Sequence, residues 1–249
     1  MTYELIEVEV EGAVAVVRMN RPEALNAITV DMLTELGAAF GELAGRADVA
    51  VVVLTGAGRA FSAGVDLKAL GGRPLDGGAV GDFLDLPARA LIDTITTMDA
   101  VVIAKVNGFC FTGALELALA CDLVVTADEA KIGDTHAQWG LRPSWGLSQR
   151  LPRAVGPARA RLLSYTARQF TGRQAQEWGL AALSCPQTDL DAVVGEIAAT
   201  ISSHSSGARA AYKDLYRASD RLPLPEGLAY EAATSYPIDD TEQRVAKFR

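Results

Sequence analysis

The run Lys105-Val106-Asn107-Gly108-Phe109-Cys110-Phe111-Thr112-Gly113-Ala114-Leu115-Glu116-Leu117 constrains the fold of this chain more than any other stretch. It completes an apolar segment, Ala100 to Val106, that reads as a buried strand. Asn107-Gly108 breaks the strand, and Gly113 opens a helix that is apolar on nearly every side (Ala114, Leu115, Leu117, Ala118, Leu119, Ala120). A helix without a polar face has to be buried. A glycine at its first position leaves an unpaired N–H within reach, and the helix dipole makes that N–H a better donor to negative charge. One carboxylate, Glu116, follows within a turn. An open amide beside a semi-buried carboxylate suits chemistry that generates an oxyanion.

The rest of the chain alternates strand and helix. Residues 3–10 alternate polar and apolar, Glu11-Gly12 is a turn, and Ala13 to Met19 is a second strand, so a hairpin is expected. Thr29 is placed to cap a helix from Val30 to about Ala44, with Met32, Leu33, Leu36, Ala39, Phe40 and Leu43 on one face. Val49 to Leu54 reads as a buried strand, Ala79 to Asp99 as a helix, Gly113 to Cys121 as a helix, and Leu123 to Ala127 as a strand with a short one at Ala130 to Ile132. Helices follow at Ser148 to Val155, Pro157 to Tyr165, Leu190 to Ile201, Ala208 to Ala218 and Gly227 to Ala233. No fixed period marks a solenoid. Gly71-Gly72-Arg73-Pro74 and Asp76-Gly77-Gly78 form a glycine-rich segment that reads equally as a mobile lid or an ordinary surface loop.

Three segments, taken together, resemble the enoyl-CoA hydratase (crotonase) superfamily: Arg21-Pro22-Glu23-Ala24-Leu25-Asn26-Ala27, Gly58-Arg59-Ala60-Phe61-Ser62-Ala63-Gly64-Val65-Asp66-Leu67-Lys68, and the opening stretch continued to Cys121-Asp122. A fourth, Trp145 to Gly156, also fits, and the likeness runs from about residue 3 to about residue 185. The final stretch, Tyr236 to Arg249, fits poorly. The resemblance implies an α/β fold, the crotonase (ClpP-like) spiral of ββα units with a C-terminal helical region. It divides the chain into a core at 1–188 carrying an acyl-CoA site and a helical oligomerisation region at 189–249. Relatives are trimers or paired trimers, so a homo-trimer or homo-hexamer is expected.

Carried over residue by residue, the resemblance makes the backbone N–H groups of Val65 and Gly113 an oxyanion hole for a thioester carbonyl. Small neighbours (Ser62, Ala63, Gly64, Thr112, Ala114) permit close approach of a ligand. Ala24, Leu25, Ala63, Asp66, Leu67 and Lys68 fall where relatives line the coenzyme A channel, with Arg21, Arg59 and Lys68 as candidate cations for its phosphates. Glu116 matches the first of two hydratase glutamates, the general base for water; as the N3 residue of a helix capped at Gly113 it would serve equally as a capping glutamate. The second glutamate belongs about twenty residues on, where this chain has His136. Asp134 lies two residues before it. His136 is either a proton-transfer or water-holding group or a hydrogen-bonded loop histidine. Phe83, Trp139 and Trp145 shape the acyl pocket or fill core, and Trp145 stands where many relatives carry a small residue.

Other chemistries find little support. Gly56-Ala57-Gly58 lacks the third glycine of a dinucleotide fingerprint and the Lys-Ser/Thr of a P-loop, and there is no Gly-x-Ser-x-Gly elbow. Two histidines and three scattered cysteines form no metal pattern, and His204 sits in a serine-rich loop. The net charge of −8 argues against a nucleic-acid partner, no apolar run is long enough for a membrane span, and cysteines in apolar runs suit a reducing, cytoplasmic setting. The resulting expectation is a 2-enoyl-CoA hydratase-like hydro-lyase with no metal or redox cofactor, coenzyme A arriving as part of an acyl-CoA thioester substrate. The alternatives are another reaction on the same enolate (decarboxylation, thioester hydrolysis, isomerisation) or a non-catalytic acyl-CoA-binding protein.

Overall fold

The computed structural model describes residues 3–71 and 75–248. Strands β1 (Ile6–Glu11) and β2 (Val14–Met19) form the expected antiparallel hairpin. Pairing starts at Ile6 rather than at Tyr3, because the Glu4 and Leu5 amides donate instead to the Glu35 carboxylate. Helix α1 (Val30–Ala44) begins at the cap read from the sequence: Thr29 Oγ1 accepts from the Met32 N–H at 3.2 Å. Its six expected core residues are all buried.

Three ββα-like units follow. They are β3 (Val51–Gly56), β4 (Ala60–Ser62) and α2 (Asp82–Thr97); then β5 (Val101–Val106), β6 (Phe109–Phe111) and α3 (Gly113–Ala118); then β7 (Leu123–Ala127), β8 (Lys131–Gly133), a 3₁₀ turn at His136–Trp139 and α4 (Leu147–Val155). Helix α5 (Pro157–Thr166), β9 (Phe170–Thr171), α6 (Gly172–Glu177) and β10 (Leu183–Cys185) complete the core order. The first strands of the units are parallel neighbours in a six-stranded sheet, β1-β2-β3-β5-β7-β10. The second strands are parallel neighbours in a four-stranded sheet, β4-β6-β8-β9. Each circuit of the chain therefore adds one strand to each sheet, which is a spiral. The repeat is hidden in the sequence because β4, β6 and β8 are only three residues long, too short for alternation to register. The helices expected at Ala79–Asp99 and Gly113–Cys121 are shorter, since Met98 turns extended to enter β5 and the chain turns after Ala118 to enter β7.

The C-terminal region is helical: α7 (Leu190–Ser203), α8 (Ser206–Ser219), α9 (Leu224–Ala233) and α10 (Thr241–Val245). Helix α7 is not peripheral. Leu190, Val194 and Ala198 join the common core, against β2, β3, β5 and β7. Lys213 on α8 donates to the carbonyls of Ile95 and Ala100 and to the Asp122 carboxylate, tying that helix to the spiral. Helix α9 buries no side chain. Of the glycine-rich segment read as a candidate lid, residues 72–74 lie outside the described residues; beyond them, the Gly78 carbonyl accepts from the Arg142 N–H at 2.9 Å. Among the described residues no helix is long and apolar enough to cross a membrane.

Candidate active site

One wall of the site is backbone. Ile28 bridges Val65 in parallel: its N–H reaches the Gly64 carbonyl and its carbonyl accepts from Asp66. In such a bridge the flanking residues make the bonds, so the N–H of Val65 itself turns away from Ile28. Gly113 begins α3, where the first N–H groups have no intrahelical acceptor. Among the described residues neither N–H donates to another group. The two segments are pressed together. Gly64 has φ of 88°, and a Cβ there would stand 2.1 Å from Thr112 Oγ1 and 2.6 Å from the Phe111 carbonyl. Thr112 itself has φ of 48° and ψ of −114°, a conformation rare for a residue with a side chain. Strain of this kind costs on the order of 1–3 kcal/mol and persists where the surroundings over-determine it. Buried Asn26 and half-buried Asn107 hold the arrangement from behind, donating to the carbonyls of Ala57 and Ala60 and of Gly56 and Gly58 respectively.

The opposite wall is side chain. Glu116 is 2% exposed. Its Oε1 accepts from the N–H groups of Trp145 (2.9 Å) and Leu147 (3.0 Å), so the carboxylate is used across the site and not to cap its own helix, where the Thr112 N–H goes to the Gly133 carbonyl. Oε2 faces His136 Nε2 at 3.7 Å. The other ring nitrogen of His136, Nδ1, lies 2.7 Å from Asp134 Oδ1. Both residues at the doubtful second position therefore reach the site, His136 in front and Asp134 behind it. Burial pushes the Glu116 carboxyl above its ordinary range, and the two amides and His136 only partly offset this. For Asp134 burial acts in the same direction, but hydrogen bonds from His136 and Ser164 outweigh it and hold the carboxyl below its usual range.

Trp145 joins the two walls. The six-membered ring of its indole packs on Gly113: a Cβ there would meet Cζ3 at 2.6 Å. Its Nε1 donates to Asp85 Oδ1 at 2.8 Å, an oxygen that also accepts from Ser144 Oγ at 2.7 Å. Asp85 is a site residue that sequence reading missed. The signal was present, because helical spacing places it on the same buried face as Ala88 and Ile92 of α2. The Trp145 and Leu147 amides carried no such signal, since any residue supplies a backbone donor.

A cleft of about 390 Å³ leads in, with Ala63, Val65, Asp66, Leu67 and Lys68 on one side and Thr135, Gln138 and Trp139 on the other. The candidate channel residues divide. Arg21 Nη1 donates to the Ala27 carbonyl and pairs with Asp66 at 3.2 Å, so its charge is partly spent within the wall. Ala24 and Leu25 form the adjoining turn, where the Leu25 carbonyl accepts from the Ala63 N–H. Arg59 lies elsewhere, in a second cleft with Phe109 and Lys131. Phe83 packs against the core, and Trp139 is 55% exposed at the first cleft. Among the described residues no three His, Cys, Asp or Glu side chains converge to hold a metal ion. All three cysteines are free, and burial raises the Cys110 thiol far above its ordinary range.

An open pair of amides, a buried carboxylate within a turn of one of them and the spiral that holds them together can be set against known proteins. The model of the enoyl-CoA hydratase/isomerase family matches residues 9–246. The chain belongs to this family. A probable enoyl-CoA hydratase of Mycobacterium tuberculosis is 33% identical over 251 residues, covering 100% of this chain and 96% of the relative. A probable peroxisomal enoyl-CoA hydratase 1 of Arabidopsis thaliana is 36% identical, covering 98% and 91%. The crystal structure of an enoyl-CoA hydratase subunit from Geobacillus kaustophilus superposes with a TM-score of 0.89 at 28% identity, covering 99% and 95%. The family match reaches residue 246, so the C-terminal helices belong to it as well, including most of the stretch from Tyr236 that the sequence reading left outside.

Proposed function

We propose that this protein adds water across the double bond of a 2-enoyl thioester of coenzyme A. The observation that carries the reading is Glu116 facing His136 across 3.7 Å, one helical turn from the undonated amide of Gly113. A water about 2.8 Å from each would sit at the apex of that pair. Glu116 takes a proton from the water as its oxygen bonds to the β-carbon. The π electrons move to the thioester oxygen, and the N–H groups of Val65 and Gly113 hold the resulting enolate. Asp134 fixes the proton of His136 on Nδ1 and leaves Nε2 to hold the water; the proton taken up by Glu116 then passes to the α-carbon, directly or through His136, which completes the addition of water and returns Glu116 to its carboxylate. These steps use no metal or redox group; coenzyme A enters with the substrate.

Along the entrance Lys68, Leu67, Ala63 and the Ala24-Leu25 turn would contact the coenzyme, with Arg21 acting through Asp66. Helix α9, with Leu224 and Leu228 exposed, would supply a contact between copies in a trimer or hexamer. The test is hydration of 2-enoyl-CoA thioesters, crotonyl to hexadecenoyl, by wild type, Glu116→Gln and His136→Ala. Loss of turnover in Glu116→Gln by about 10²–10⁴-fold, with ligand affinity kept, is expected. No turnover by wild type on any thioester, with binding intact, would overturn the hydratase reading and leave a different acyl-CoA reaction or a carrier role.

A further inference from the structure

We propose that Trp145 closes the acyl end of the cleft and restricts the substrate to short acyl chains, with Asp85 locking the indole in place. The inference rests on the thioester reading above and names its substrate class. The two amides set where the carbonyl oxygen lies, and Glu116 sets where the β-carbon must lie. Beyond that point the acyl chain meets Trp145. Trp145 is 3% exposed, its indole lies in contact with Gly113, and its backbone N–H donates to Glu116 Oε1. The lining of the open cleft includes Val65 but not Glu116, Gly113 or Trp145.

The ring is held, not merely lodged. Asp85 is 3% exposed, and its Oδ1 takes both the Trp145 Nε1–H and the Ser144 hydroxyl. Swinging the indole aside would strip a buried carboxylate of a donor, which is costly. The backbone is also tied, since Arg150 Nη1 donates to the Trp145 carbonyl. Trp145 therefore acts as a fixed floor rather than a swinging gate, and a longer chain has to pay for displacing it.

The experiment is calorimetric titration of wild type, Trp145→Ala and Trp145→Phe with butyryl-CoA and octanoyl-CoA, saturated thioesters that cannot be hydrated. Wild type is expected to bind butyryl-CoA at least about tenfold more tightly. Trp145→Ala should abolish or reverse that preference, and Trp145→Phe, which retracts the ring from Gly113, should fall between. If Trp145→Ala does not fold, the Phe variant and the wild-type ratio decide. Wild type binding octanoyl-CoA as tightly as butyryl-CoA, or a preference unchanged in the variants that fold, overturns the proposal. Because no turnover is read, failure of the hydratase reading shows up separately: a short-chain preference in binding with no hydration of crotonyl-CoA would sink that reading and leave this one standing. Binding of neither thioester would sink both.

Discussion

The two walls of the site are built from different material. The wall at 62–66 and 111–113 offers backbone, and around the two amides Gly64, Thr112 and Gly113 leave room for close approach. The wall at 134–147 offers Asp134, His136 and Trp145, each held by a specific hydrogen bond or packing contact. A backbone donor does not depend on which side chain it carries, provided nothing blocks the close approach. A side-chain wall depends on every atom. On the proposed reading the first wall serves the thioester carbonyl, which every acyl-CoA reaction shares, while the second sets the reaction and the acyl group.

Neighbouring positions on the backbone wall should therefore behave oppositely to their chemistry. Gly64→Ala is conservative in polarity, yet its methyl would collide with Thr112 and the Phe111 carbonyl. Displacing one oxyanion donor should lower kcat/KM by roughly 10²–10³-fold, measured on the best thioester. Retained activity would show that the contact between Gly64 and Thr112 does not position the amides. On the side-chain wall, His136→Ala should cost about 10²-fold in kcat if the histidine moves a proton, with Asp134→Asn showing a smaller loss. An undiminished rate in His136→Ala would reduce this wall to Glu116 alone. A pH profile comes next in size. The proposed base, Glu116, can act only when deprotonated, and its pKa is raised, chiefly by burial. Activity should therefore fall as the pH drops through a value above the ordinary carboxylate range of about 4.3. An acid limb at or below that range would assign the base elsewhere. Least of all, Val65→Ala should stay within about threefold of wild type, because the amide survives the truncation. A large loss there would erase the contrast between the walls.

The sequence determined by itself what local chemistry can determine. Thr29 and the six apolar residues on one face after it specified α1, Val49 to Leu54 specified a buried strand, and Leu123 to Ala127 specified another strand, the first found at Val51–Gly56 and the second where it was read. The glycine at the start of an all-apolar helix pointed to an open amide, while it was the family resemblance that placed His136 where relatives carry a second glutamate. Tertiary structure decided the rest, because it depends on distances between segments far apart in the chain. Only folding shows that Glu116 is gripped by the amides of Trp145 and Leu147, that Asp134 stands behind His136, that Arg21 is paired with Asp66 and that Arg59 faces another cleft. Of the second sheet only the strand at Ala130 to Ile132 was read; the others are two or three residues long, and their register is set by stacking successive turns of the spiral. A residue's type states what it can offer; which partner takes the offer is settled by burial, where every polar group has to find one.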